Sequence, residues 1–153
     1  MKKLIYKITY PFIKFYWRFF KPKTYGSRAI VLHQNDILLV RHIGSDYLSL
    51  PGGKIEIGES PEECVNRELK EELGIDSLEI DYKLWEYISN NEGKRDAIHI
   101  FVINLPSLDF KKQWELEDAG WFNLDNLPGD VSPAGLRRVR EYMMGNKSLL
   151  SQW

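Results

Sequence analysis

Apolar and polar positions alternate most cleanly between Ala97 and Leu105. Ile98, Ile100, Val102 and Asn104 fall on one face of an extended chain there, and His99, Phe101 and Ile103 on the other. A strand is predicted at this point, with Leu78 to Ser89 as its partner across a turn at Asn90-Asn91-Glu92-Gly93. Upstream, the apolar runs Arg28 to His33 and Ile37 to His42 flank Gln34-Asn35-Asp36 and predict a hairpin, followed by a glycine-containing loop, Ile43 to Asp46, and the short run Tyr47 to Leu50. The period lengthens to that of a helix after Ser60, where Val65, Leu69 and Leu73 make one apolar stripe. Pro106 to Gly120 reads as a loop with an acidic patch, ahead of a strand Trp121 to Leu124 and then Leu127-Pro128. A last helix starts at Ser132-Pro133 and reaches about Met144, before Gly145. Its inward face is read as Leu136, Val139 and Met143 and its outer face as Arg137, Arg138 and Arg140.

The first helix carries its own start and stop signals. Ser60 followed by Pro61 and then Glu63 gives an N-cap, a proline at the first helical position and a capping box. Gly74 supplies the left-handed residue that closes many helices after Leu73. Beside the apolar stripe runs an acidic one, Glu68, Glu71 and Glu72, in which Glu68 and Glu72 are a like-charge pair one turn apart. Such a pair destabilises an isolated helix by roughly 0.2–0.5 kcal/mol, so something positive is expected among the carboxylates. A hard divalent cation, Mg²⁺ or Mn²⁺, suits oxygen ligands unaccompanied by a His or Cys cluster. Arg67, four residues before Glu71, can also pair with a carboxylate. The plain alternative is a solvated, charge-rich surface helix. Gly52 and Gly53 allow close backbone approach to a metal or phosphate, or simply a tight turn.

The spacing adds more. Gly53, five residues, Glu59, seven residues, Arg67-Glu68-Leu69, one residue, Glu71-Glu72, one residue, Gly74 and Ile75 match the Nudix box at every specified position. The chain therefore resembles the Nudix hydrolase family. The resemblance implies an α+β protein, an α/β/α sandwich with a mixed sheet in which the box forms a loop–helix–loop. It also implies a metal-dependent pyrophosphohydrolase in which water attacks a phosphorus of a nucleoside diphosphate linked to another group. Carried over by position, Glu68, Glu71 and Glu72 look like the metal-binding carboxylates, with Glu68 also credited with activating water. Gly52 looks like the residue whose carbonyl reaches the metal, Arg67 like the partner that orients the glutamates, and Glu59 like a support for the loop. A loop carboxylate about six residues before a tryptophan completes the site or serves as base in many such proteins. Glu115 stands there, with Glu117 and Asp118 as alternatives.

Subfamily habits narrow the substrate little. Asn90 and Asn91 stand where ADP-ribose hydrolases often carry a proline, and the markers of coenzyme A and NADH hydrolases are absent. What remains is (deoxy)nucleoside triphosphates, nucleoside diphosphate sugars, capped or triphosphorylated RNA ends and dinucleoside polyphosphates. A different class of function, a Nudix-fold module that binds nucleotide without cleaving it, is expected to show a substituted box glutamate, and Glu59, Glu68, Glu71 and Glu72 all stand.

Composition bounds the rest. The chain has 153 residues, 43% of them hydrophobic, which is room for one domain with a proper core. The reading is a domain over 26–146, an N-terminal arm over 1–25 and a C-terminal tail over 147–153. A net charge of −1 gives no reason to expect nucleic-acid binding by the whole chain. The lone Cys64 fits a reducing cytosol and reads as a small apolar filler. Charge is uneven, however: Asp36 is the first acidic residue, and the basic stretch that begins with the arm carries Lys2, Lys3, Lys7, Lys14, Arg18, Lys21, Lys23 and Arg28, interleaved with Tyr6, Tyr10, Phe12, Phe15, Tyr16, Trp17, Phe19 and Phe20. The arm is read as short helical pieces, interrupted by Pro11, that fold onto the domain or pair with a second subunit in a homodimer. Residues 1–24 lying on an anionic membrane surface are the alternative. No nucleic-acid motif accompanies the arm. Trp85, Tyr87 and Phe101 could stack on a base and Arg41 or Arg95 touch a phosphate, though core and surface positions are their ordinary readings. His33, His42 and His99 read as structural or surface residues.

Overall fold

The computed structural model describes residues 23–76, 80–89 and 95–145. The arm over residues 1–22, the turn Asn90 to Gly93, and the C-terminal tail lie outside the described residues, and so do the expectations placed on them. Strands β1 (Lys23–His33), β2 (Asp36–His42), β3 (Tyr82–Ser89), β4 (Arg95–Asn104) and β5 (Leu116–Asn123) form one sheet in the order β3-β4-β1-β2-β5. β1 runs parallel to β4, while the other neighbours are antiparallel, so the sheet is mixed. The β1–β2 hairpin turns at Gln34, whose φ of 53° is left-handed.

Helix α1 (Pro61–Leu73) covers one face of the sheet and α2 (Pro133–Met143) the other. The strands sort their side chains by alternation. Ala29, Val31, Leu38, Val40, Phe101 and Ile103 meet Val65, Leu69 and Leu73 of α1, whereas Ile30, Leu32, Ile37, Leu39, Ile100 and Val102 meet Val139 of α2. The two faces expected for β4 are thus both buried, one under each helix, giving the three-layer α/β/α sandwich. Among the described residues no helix is long and apolar enough to cross a membrane.

β1 begins at Lys23, well before the expected Arg28. Its polar start, Thr24-Tyr25-Gly26-Ser27, lacks an alternating pattern, but its backbone is paired with β4 on one side. On the other side Ser27 N–H donates to Gly53 O and Ile55 N–H to Tyr25 O, at 2.9 Å each. The expected loop Pro106 to Gly120 is corrected in the same way. β5 starts at Leu116, which is buried and pairs with His42, and the acidic patch at Glu117 and Asp118 is strand. As an edge strand with one neighbour and a register shift beside His42, β5 shows little hydrophobic signal.

Helix α2 turns Leu136 and Val139 inward and Arg137 and Arg140 outward as expected, but two of its places are exchanged. Arg138 is 1% exposed and Met143 is 47% exposed, the reverse of their predicted places. The guanidinium lies 3.7 Å from the Tyr87 ring centroid, Arg138 Nη2 stands 3.0 Å from Glu141 Oε1, and Tyr87 donates to Glu141 Oε2 at 2.6 Å. A paired, ring-covered guanidinium can be buried where a bare one cannot. Tyr87 and Phe101 are buried core residues, so neither offers a face for stacking, and the side chains of Trp85 and Arg95 lie outside the described part.

Candidate active site

Local sequence builds the scaffold. Ser60 Oγ accepts from Glu63 N–H at 3.1 Å and Glu63 Oε2 accepts from Ser60 N–H at 2.8 Å, closing the capping box. Gly74, with φ of 65°, ends α1 and returns its N–H to the Leu69 and Lys70 carbonyls. Ser27 Oγ donates to Pro61 O at 2.8 Å, which fastens the start of the helix to β1.

Arg67 is the hub of the charged shoulder. Its Nε and Nη2 take both oxygens of Glu59, at 2.7 and 3.1 Å, and its Nη1 reaches Glu68 Oε1 at 3.0 Å and Glu71 Oε2 at 3.1 Å. Nη2 also donates to Lys54 O at 3.2 Å, so one guanidinium ties the loop to the helix. The pairing holds the Glu59 carboxyl down to about 2 and raises Arg67 well above its ordinary value. Glu68 goes the other way: burial lifts it, with Arg67 opposing. The neighbouring Cys64 thiol is buried and pushed up to about 11, which fits an inert filler.

The two glycines have separate jobs. A Cβ on Gly53 would stand 1.9 Å from Glu68 Oε1, so the Glu68 carboxylate occupies the space a side chain would take. Gly52 has φ of 125°, and a Cβ there would meet the Ser27 carbonyl oxygen at 2.3 Å. The carbonyls of Pro51 and Gly53 are both taken by β1, while that of Gly52 accepts none of these bonds, as alternation along an extended segment requires.

Glu72 stands apart from the Arg67 hub. It is 2% exposed, and Gly52 N–H donates to its Oε2 at 3.1 Å. Burial raises its carboxyl to about 7, against the pull of Gly52 N–H and Arg28. His42 Nε2 lies 3.4 Å from Glu72 Oε1, and burial keeps that imidazole below its ordinary pKa. Of the three loop carboxylates, Glu115 is the one whose charge acts on both Glu72 and His42, whereas Glu117 and Asp118 act on Arg41. Arg41 itself is bonded to Asp130 and to the Asp46 carbonyl.

Sequence reasoning missed Arg28 and His42 as neighbours of this site. Arg28 was grouped with the basic arm, yet its charge acts on Glu72 and Glu68, and burial lowers its pKa. Its signal was a lone charge heading an apolar strand. Among the described residues no three acidic, His or Cys side chains converge on one point as a ready metal cage, since Glu59, Glu68 and Glu71 are turned to Arg67. The donor set still fits a hard cation: Glu68, Glu71 and Glu72 lie within two turns beside the open Gly52 carbonyl, and all of these donors are oxygen.

A mixed five-stranded sheet between two helices, with a glycine loop leading into a glutamate-rich helix shoulder, defines a class of α/β/α sandwich that gathers carboxylates at a loop–helix junction. The NUDIX domain model matches residues 23–143, and the chain belongs to that family. It is 36% identical over 111 residues to the NAD-capped RNA hydrolase NudC of Vibrio vulnificus, covering 69% of this chain and 40% of that protein. It is 32% identical over 105 residues to the ADP-ribose pyrophosphatase of Methanocaldococcus jannaschii, covering 65% of this chain and 62% of that protein. The chain thus spans only about 40% of the length of the NudC relative. The fold is similar to that of the MutT protein from Methanosarcina mazei, with a TM-score of 0.70 and 24% identity over 84% of this chain and 99% of the other.

Proposed function

We propose that this chain is a divalent-metal-dependent hydrolase that cleaves the pyrophosphate bond of a nucleoside diphosphate linked to another moiety. The observation that carries the reading is the intact box folded as one unit, with Arg67 bonded to Glu59, Glu68 and Glu71, and with Glu72 buried under the Gly52 N–H. NudC and the ADP-ribose pyrophosphatase, by their names, act on adenosine compounds containing a pyrophosphate, which supports a nucleoside diphosphate derivative as substrate.

Glu68, Glu71, Glu72 and the Gly52 carbonyl would hold Mg²⁺ or Mn²⁺. When bound, such an ion offsets charge developing on phosphate oxygens and lowers the pKa of a coordinated water. Arg67 holds Glu68 and Glu71 on one shoulder of α1, from which both carboxylates would turn to reach an ion. Glu68, whose carboxyl burial raises from its ordinary value, would accept a proton from the attacking water, with Glu115, whose charge reaches Glu72, as the second base. Arg28 adds positive charge behind the acidic shoulder. The test is a screen of nucleotide classes, including ADP-ribose, NAD and NAD-capped RNA, with Mg²⁺ and with Mn²⁺, reading released phosphate groups and identifying products. Metal-dependent appearance of nucleoside monophosphate is expected. No turnover of any class with either metal would overturn the reading.

A further inference from the structure

The α1 face of β2 reads Leu38, Val40 and then His42, two buried aliphatic side chains followed by an imidazole. Alternation thus carries the ring to the end of the strand on the side where α1 lies, and the helix meets it with Glu72, whose Oε1 stands 3.4 Å from His42 Nε2. The pairing with β5 skips Glu117 at this point, passing from Arg41 opposite Asp118 to His42 opposite Leu116, and Ile43 N–H then reaches Glu115 O at 3.4 Å. A bulge of this kind re-aims the chain, and here it draws Glu115 up to the end of β2, where its charge acts on both His42 and Glu72.

The 3.4 Å between the two side chains is long for a hydrogen bond, which an N–H donor closes at about 2.7–3.2 Å. It is the spacing of two ligands that share one ion: donors each about 2.1 Å from a cation stand about 3.0 Å apart at a right angle and about 3.4 Å apart at a tetrahedral one. Glu72 is buried with its Oε2 held by Gly52 N–H, whereas the His42 side chain is 42% exposed, so the pair opens to solvent through the imidazole. The other two imidazoles stand elsewhere: His33 Nδ1 lies 2.8 Å from Leu105 O, and His99 is buried 3.7 Å from Glu86. We infer that His42 Nε2 joins Glu72 as a ligand of the divalent cation, an assignment that rests on the hydrolase reading. Imidazole suits first-row transition metals, whereas Mg²⁺ takes oxygen ligands and keeps its waters, so such a site prefers Mn²⁺.

The experiment loads the full chain with Mn²⁺ at about pH 8, where an imidazole is neutral and has a lone pair to give. Electron spin-echo modulation, which detects nitrogen bonded to the ion, is read in the wild type, in wild type carrying histidine isotopically labelled at nitrogen, and in His42→Gln. A nitrogen coupling is expected in the wild type, altered by the label and lost in His42→Gln. Calorimetry should show Mn²⁺ affinity falling in that variant by on the order of 10- to 100-fold and Mg²⁺ affinity by less. Mn²⁺ bound to the wild type with no nitrogen coupling overturns the assignment, and so does a coupling that survives in His42→Gln. A variant that weakens inorganic pyrophosphate and leaves Mn²⁺ affinity unchanged also overturns it, since the imidazole then faces the substrate. The wild-type spectrum decides even where the variant fails to fold, which a thermal scan checks. Each of these results leaves metal-dependent turnover in the screen standing, whereas a wild type that neither binds Mn²⁺ nor turns over any class overturns the hydrolase reading as well.

Discussion

Gly53→Ala separates catalysis from folding. Gly53 is not in a left-handed conformation, so alanine is compatible with its backbone, and replacing glycine at such a site stabilises by roughly 0.4–1 kcal/mol through the unfolded chain. The added Cβ would stand 1.9 Å from Glu68 Oε1, 2.2 Å from Cδ and 2.7 Å from Oε2, and ordinary contact begins near 3.4 Å. The carboxylate therefore has to retreat by about 1.5 Å, which the far end of a flexible side chain can do at small cost. A 1 Å misplacement in a reacting constellation costs about 100-fold, so kcat/KM is expected to fall by about two orders of magnitude. The urea midpoint should move by no more than the equivalent of about 1 kcal/mol. The assay pairs turnover of a substrate found in the screen with urea unfolding. Wild-type turnover in Gly53→Ala refutes the placement of Glu68. Gly52→Ala is the contrast: its Cβ meets the Ser27 backbone, which cannot step aside, and its φ is disfavoured for alanine, so stability is expected to drop by about 1–3 kcal/mol.

Glu72→Gln is expected to lower turnover by orders of magnitude while the metal-free protein melts higher than wild type at pH 8. The buried carboxyl, at about 7, sits above its ordinary value, so wild-type stability falls as pH rises from about 4.5 to 7; the amide removes that slope, and melting scans across pH that coincide would contradict it. Glu59 has the opposite dependence. Held down to about 2 by Arg67, it contributes stability that is present above pH 4.5 and lost as the pH falls toward 2, so acid unfolding of Glu59→Gln should be shallower over that window, as circular dichroism would read. Arg138→Ala strips the cover from Tyr87 and the cation from Glu141, which keeps the Tyr87 hydroxyl, with an expected loss of about 2–4 kcal/mol in urea unfolding, and Arg138→Met should lose less.

Much of α1 was decided by the sequence alone. Ser60, Pro61, Glu63 and Gly74 act on backbone groups within a turn of themselves, and such local bonds need no partner from elsewhere in the chain. The same holds for the β1–β2 hairpin and for the two faces of β4, because alternation encodes burial directly. What is local in bonding is legible in order.

Tertiary structure decided the rest. The polar start of β1 and the acidic start of β5 are strands because a neighbouring backbone pairs with them, not because of their own side chains. Arg138 is inside α2's packing only because Tyr87, far away in sequence, brings a ring face to it and is itself bonded to Glu141, the carboxylate one turn along the same helix. The site divides the same way. The helix period put Glu68, Glu71 and Glu72 on one shoulder, but turning Glu72 inward under Gly52, setting His42 beside it, and bringing the charges of Arg28 and Glu115 to bear on it all required a fold that joins residues 20 or more positions apart. Side-chain spacing along one element follows from its helical or extended period, whereas the field at a buried carboxyl is set by whatever the fold brings near it.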